Sequence, residues 1–179
     1  QGATVLVNAP YPAEEIWDRL PREVQEEILA KDLRLWSVDA YRIAKDVGLG
    51  RRINSVMVPA FLKLSGALPS HEVARLVKAS FAKTYGNRGA VVVAMNEVAV
   101  DRALDSLVEV PVPGRVTSDL HRRQLVGSDA PDFVQRVTAR MIDGKGDLLP
   151  VSALPADGSF PTGTAPYEKR EIALEIPIW

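Results

Sequence analysis

Few side chains in this sequence could do chemistry, and they are widely spaced. None of the 179 residues is a cysteine, which removes disulfides, thiolate ligation of an iron-sulfur cluster and a cysteine nucleophile. The two histidines, His71 and His121, lie too far apart in sequence for a zinc-ligand spacing. His71-Glu72-Val73-Ala74-Arg75 begins like a zinc-protease helix, but Arg75 stands where the second imidazole must be. Glu72 reads instead as a first-turn residue favoured by the helix dipole. Carboxylates are plentiful, yet no spacing pairs two of them as acid and base. Gly48-Leu49-Gly50 resembles a dinucleotide-binding loop only in its first half, and it follows a helix rather than a strand. The same loop has another reading. Gly50, Arg51, Arg52 and Asn54 gather two guanidiniums and an amide at the start of a helix, where free backbone N–H groups favour an anion and arginine can grip a phosphate with two hydrogen bonds. The bland alternative is a glycine helix cap followed by exposed arginines. Trp17, Trp36 and Phe61 read as core residues rather than as part of a cofactor site.

Composition bounds the function classes. Hydrophobic residues make up 46% and charged residues 25%, with 22 basic against 23 acidic side chains, as in ordinary soluble globular proteins. A net charge of -1 gives no argument for nucleic acid or an acidic membrane surface as partner. No run approaches the roughly 20 apolar residues needed to span a bilayer. There is no cleavable signal pattern and no N-x-[ST] acceptor, so the expected compartment is the cytoplasm. Gln1-Gly2 leads straight into an apolar run with no initiator Met, which suggests a segment of a longer protein.

The elements that must position the loop follow from periodicity. Ala3 to Asn8 reads as a strand buried on both faces, a helical stretch runs from Glu14 through Pro21 to about Ala30, and Leu33 to Val38 reads as a second strand. Strand, helix, strand at this spacing makes a βαβ unit of a parallel sheet. The middle is helix-rich: Ala40 to Val47 closed by Gly48, Ile53 to Leu64 with Pro59 inside, and a longer helix capped by Ser70. A turn at Gly86-Asn87-Arg88-Gly89 then leads to a helix ending near Leu107, in which Val91-Val92-Val93 would suit a strand locally but the later periodicity favours helix. Eight of the thirteen prolines lie between Pro111 and Pro177. Residues 111–131 read as a linker, Asp132 to Ile142 as a short helix, and 147–179 as an extended apolar strap laid across another domain.

Several of these stretches carry a family resemblance. Val5 to Pro10, Tyr41 to Asn54 and Phe61 to Gly66 resemble the central domain of the pyruvate:ferredoxin (flavodoxin) oxidoreductases, and Tyr85 to Gly89 with Met95-Asn96 resemble its helical hairpin. Leu149 to Ala153, Asp157 to Thr164, Tyr167 to Arg170 and Ile176 to Trp179 are similar to the segment joining that domain to a ferredoxin-like one. The resemblance implies a three-layer α/β/α fold with a short parallel sheet, residues 1–110 forming the second half of the central domain and 132–179 the connecting segment. It implies a cytoplasmic homodimer that converts pyruvate and coenzyme A to acetyl-CoA and carbon dioxide and reduces ferredoxin or flavodoxin. Thiamine pyrophosphate, magnesium and iron-sulfur clusters are expected in other domains of the same polypeptide, with no cofactor in this segment, no nucleic acid and no membrane. Within the segment, Arg52 and Asn54, with Arg51, match the stretch expected near coenzyme A, although Arg51 replaces a more usual small residue. The expected role is to scaffold the other domains and close over coenzyme A; the alternative is a stand-alone scaffold or binding module without redox activity.

Overall fold

The uncharged, mostly β-branched run near the start of the chain forms strand β1 (Thr4–Asn8), and the second apolar run forms β2 (Arg34–Val38). They pair in parallel, with Thr4 opposite Arg34 and Asn8 opposite Val38. A parallel pair needs a long crossover, here α1 (Ala13–Arg19) and α2 (Arg22–Ala30). Each helix is entered through a proline, Pro12 at φ -56° and Pro21 at φ -57°, angles already suited to a helix start. The computed structural model describes residues 2–167 and divides into two compact units, Gln1–Arg122 and Arg123–Trp179.

In the first unit, side-chain alternation along the strands feeds two cores. Val5, Val7 and Leu35 join Ile16, Trp17 and Ile28 on the α1–α2 face. Leu6 and Val38 join Ile43, Ala44, Val56, Ala60, Ala99 and Ala103 on the other. That second face is covered by α3 (Ala40–Asp46), α4 (Asn54–Ser65) and α6 (Ala90–Asp105). The fold is therefore α/β, with helices on both sides of a short sheet. Two expectations need correction. The five residues of β1 are all half-buried rather than fully buried, because β1 lies at the edge of the sheet. The sheet is mixed: β3 (Val108–Glu109) runs antiparallel to β2, with Trp36 opposite Glu109.

Asp39 caps α3 by accepting the Arg42 N–H at 3.1 Å, and Asn8 Oδ1 takes the Ala40 N–H at 2.9 Å, tying the end of β1 to the start of the helix. Pro59 lies inside α4, which ends at Gly66 in the left-handed region, φ 67°. α5 (Val73–Tyr85) starts after Glu72 with no side-chain cap. Ser70 therefore does not cap it; the Glu72 N–H donates instead to the Pro69 carbonyl at 2.8 Å, so a tight turn leads into the helix. Val91-Val92-Val93 is helical, within α6.

Residues 110–122 have no periodicity, and hydrogen bonds hold them on the α1–α2 face. Val110 and Val112 belong to the core there. Gln25, fully buried, accepts the N–H groups of Thr117 (2.9 Å) and Ser118 (3.0 Å) and donates to the Trp17 carbonyl (2.6 Å). Arg22 N–H donates to the Leu120 carbonyl at 2.6 Å. Glu23 lies 2.7 Å from His121 Nδ1 and accepts the Arg122 N–H at 3.1 Å; these contacts, His121 foremost, hold its carboxyl well below the usual 4.5, at about 2.

The second unit is helical over residues 132–142, but Val134–Thr138 takes wider i→i+5 turns before α7 (Ala139–Ile142). Phe133 meets Phe160 edge-on, centroids 5.2 Å apart. From Gly146 to Tyr167 there are three single turns, Gly146–Leu148, Val151–Ala153 and Ala165–Tyr167, joined by irregular backbone. Leu148 and Val151 are exposed. The alternating run Ile172 to Trp179 lies outside the described residues.

Candidate anion-binding site

The loop between α3 and α4 is a fixed turn. The Gly48 N–H reaches back to the Lys45 carbonyl (3.1 Å) and the Leu49 N–H to that of Ala44 (2.8 Å), with Gly48 at φ 85°. This double closure is the Schellman pattern, and its usual apolar residue is Leu49, buried against Ile43 and Val56 in the sheet-facing core. Gly50, at φ 61°, then turns the chain so that Arg51 and Arg52 are exposed immediately before α4. Val56 and Met57 both donate to the Ile53 carbonyl at 2.9 Å, leaving the amides of Asn54 and Ser55 with no backbone acceptor among the described residues. Such free amides at a helix start attract negative charge.

This helix start forms one wall of a cleft of about 310 Å³. The opposite wall comes from Tyr85, at the end of α5, from Arg88 in the single turn Gly86–Arg88, and from Val92 and Asn96 of α6. Asn96 is only 3% exposed and fully engaged: its Oδ1 accepts a short hydrogen bond from Ser55 Oγ, and its Nδ2 donates to the Val92 carbonyl at 2.7 Å. The two side chains fix α4 against α6 beneath the cleft.

The electrostatics are one-sided. No carboxylate lines the cleft, and Arg51, Arg52 and Arg88 form no ion pair among the described residues. Arg19, Arg75 and Arg136 behave differently: each is matched to a carboxylate whose hydrogen bond raises its pKa. Three unmatched guanidiniums, free amides and the Asn54 side chain suit a phosphate or carboxylate group.

Arg51, Arg52 and Asn54 line one cleft, together with two residues that spacing could not supply, Tyr85 and Arg88. The only local signal was the glycine-flanked turn that exposes Arg88. In the stretch that begins like a zinc-protease helix, Glu72 accepts from Arg75 Nε at 2.9 Å. Trp17 is buried as expected of core, but Phe61 is not: it is 59% exposed and borders an apolar groove of about 480 Å³ with Leu6, Met57, Val58 and Leu64.

Comparison with known proteins bears on the same segments. Residues 1–106 match the family described as pyruvate ferredoxin/flavodoxin oxidoreductase, and residues 119–173 match one described as a domain of unknown function. The chain is 45% identical over 178 residues to the pyruvate-flavodoxin oxidoreductase of Rhodospirillum rubrum and 40% identical over 178 residues to the pyruvate:ferredoxin oxidoreductase of Moorella thermoacetica. It is 37% identical over 183 residues to the mitochondrial pyruvate dehydrogenase [NADP(+)] of Euglena gracilis. In each case 99% or more of the chain is covered, but it spans only 15% of the length of the two bacterial proteins and 10% of the Euglena one. On the match over residues 1–106, which contain the parallel strand pair, the arginine loop and the cleft, the chain belongs to the pyruvate ferredoxin/flavodoxin oxidoreductase family.

Proposed function

We propose that this chain works as part of a longer polypeptide that oxidatively decarboxylates pyruvate, passes low-potential electrons to ferredoxin or flavodoxin, and transfers the acetyl group to coenzyme A. Within it, the first unit supplies the cleft that receives phosphate groups of coenzyme A, with Arg52 and Asn54, assisted by Arg51 and Arg88, as the contacting residues. Residues 132–179 act as a strap linking neighbouring domains in a cytoplasmic homodimer. The single observation that carries this reading is the cleft itself: three arginines without carboxylate partners face it from two separate turns, inside the segment that matches the family.

The family's other groups do not fit residues of this chain. A chain without cysteine cannot ligate an iron-sulfur cluster through thiolates. Among the described residues no carboxylate cluster could hold magnesium for thiamine pyrophosphate. The reading places those groups in other parts of the polypeptide, as the family resemblance implies, and gives this chain the work of binding, orienting and connecting.

The test is the coenzyme A dependence of the whole enzyme. Arg52→Ala and Arg88→Ala are each expected to raise the KM for coenzyme A by about 10-fold or more, the loss of one charge-assisted contact of about 1.5–3 kcal/mol. Pyruvate-dependent release of carbon dioxide before coenzyme A enters should stay unchanged. An unaltered KM in both variants would remove the cleft from the coenzyme A site.

A further inference from the structure

The wall of the cleft formed by α4 lacks the device that secures its neighbour. The start of α3 is capped by the Asp39 carboxylate, which accepts the Arg42 N–H, whereas at the start of α4 Ile53 makes no side-chain cap. An uncapped first turn tends to fray. Yet this is the turn whose neighbourhood carries Arg52 and Asn54. A contact from across the cleft holds it instead: Ser55 donates its Oγ–H to Asn96 Oδ1 on α6, 41 residues away.

Asn96 is itself anchored within its own helix. Its Nδ2 donates to the Val92 carbonyl at 2.7 Å, one turn back, which leaves Oδ1 turned toward Ser55. Both side chains are almost fully buried, and the rest of the α4–α6 contact is apolar, built from Val56, Ala60, Ala99 and Ala103. Small apolar side chains tolerate slight sliding of one helix on the other. A buried polar pair does not, because any other register leaves a donor and an acceptor without partners. The pair also stands where register matters. Ser55 and Asn96 both line the cleft, with Arg51, Arg52 and Asn54 on the Ser55 side, and Val92 and, just ahead of α6, Arg88 on the Asn96 side.

We propose that Ser55 and Asn96 are positioning residues for anion binding: their hydrogen bond sets the width of the cleft, so that Arg52 and Asn54 from one wall and Arg88 from the other close on the same phosphate group. Neither side chain has to touch the ligand. The gain is preorganisation, since guanidiniums already held at the right separation bind without first ordering the walls. This role rests on the reading of the cleft as the coenzyme A phosphate site and adds to it two residues that carry no charge.

The KM for coenzyme A and the thermal midpoint of the whole enzyme test it together. Ser55→Ala and Asn96→Leu are each expected to raise KM by about 5-fold, with the maximal rate at saturating coenzyme A held within about 2-fold. The double variant should show no more than either alone, because the two side chains act as one unit. Ile28→Val removes a methyl group from the core on the opposite face of the sheet and should lower the thermal midpoint with KM unchanged. A KM raised as much by Ile28→Val would reduce the pair to general stability and overturn the proposal. So would single-variant effects that multiply in the double variant, or an unaltered KM in Ser55→Ala. Arg52→Ala and Arg88→Ala separate the two readings. If they raise KM and Ser55→Ala does not, the positioning role falls and the coenzyme A site stands; if they leave KM unaltered, the site falls and the positioning role falls with it.

Discussion

Gly48 and Gly50 both adopt positive φ, 85° and 61°, but differ in what surrounds them. A Cβ on Gly48 would stand 3.1 Å from Met95 Cε, whereas one on Gly50 would meet nothing within 4 Å. Gly50→Ala should therefore cost only the left-handed backbone penalty, about 1–2 kcal/mol, and Gly48→Ala more, because Met95 must also move. Urea denaturation of the two variants checks the order. Glu23 gives a pH signature. Its folded pKa of about 2 lies below the usual 4.5, so its contacts with His121 and the Arg122 N–H contribute stability that is full above about pH 4.5 and is lost as pH falls toward 2. The thermal midpoint of Glu23→Gln should fall less steeply than that of the parent between those limits.

Among the elements, α4 and α6 meet through small side chains: Ala60, Ala99 and Ala103 are fully buried. Ala99→Leu should destabilise by about 1–3 kcal/mol through overpacking, while Ala94→Leu, on the exposed side of α6, should be nearly silent; thermal melts of both would show it. Elements with a sustained period were legible in the sequence. Over the 16 residues of α6 the recurring Met95, Ala99 and Ala103 outweighed the local strand preference of Val91-Val92-Val93. The two-residue β3 was not legible, since its existence depends on Trp36 and Ser37 offering a partner from far away in sequence. Ser70 was misread because a capping residue type can equally occupy a turn. Half of the cleft lining can be read locally, because Arg51, Arg52 and Asn54 are neighbours in sequence, whereas Arg88 joins them only when α5 folds back on α4.

At the scale of the whole molecule, the net charge of -1 conceals a local excess of positive charge at the cleft and gives no hint of an anion site. The family match over 1–106 lies inside the first compact unit, and most of the match over 119–173 lies in the second, so contact density and ancestry divide the chain in nearly the same place. Phe61 shows how such a chain misleads a residue-by-residue reading. Its type signals core, but among the described residues it borders an apolar groove instead.

The Gln25 contacts have a consequence in time. Gln25 and Thr117 are 92 residues apart, and Glu23 and His121 98 apart, so these bonds close one of the longest loops in the first unit. Closing a loop of that length costs roughly 4 kcal/mol of chain entropy before any contact offsets it. If so costly a closure forms after the rate-limiting step, the bonds to Gln25 act as a brake on escape from the native state rather than as a guide into it, which kinetics can test. In stopped-flow measurements Gln25→Leu should accelerate unfolding by about 10-fold or more and leave the refolding rate nearly unchanged, because the Thr117 and Ser118 amides lose their acceptor only once the loop has closed.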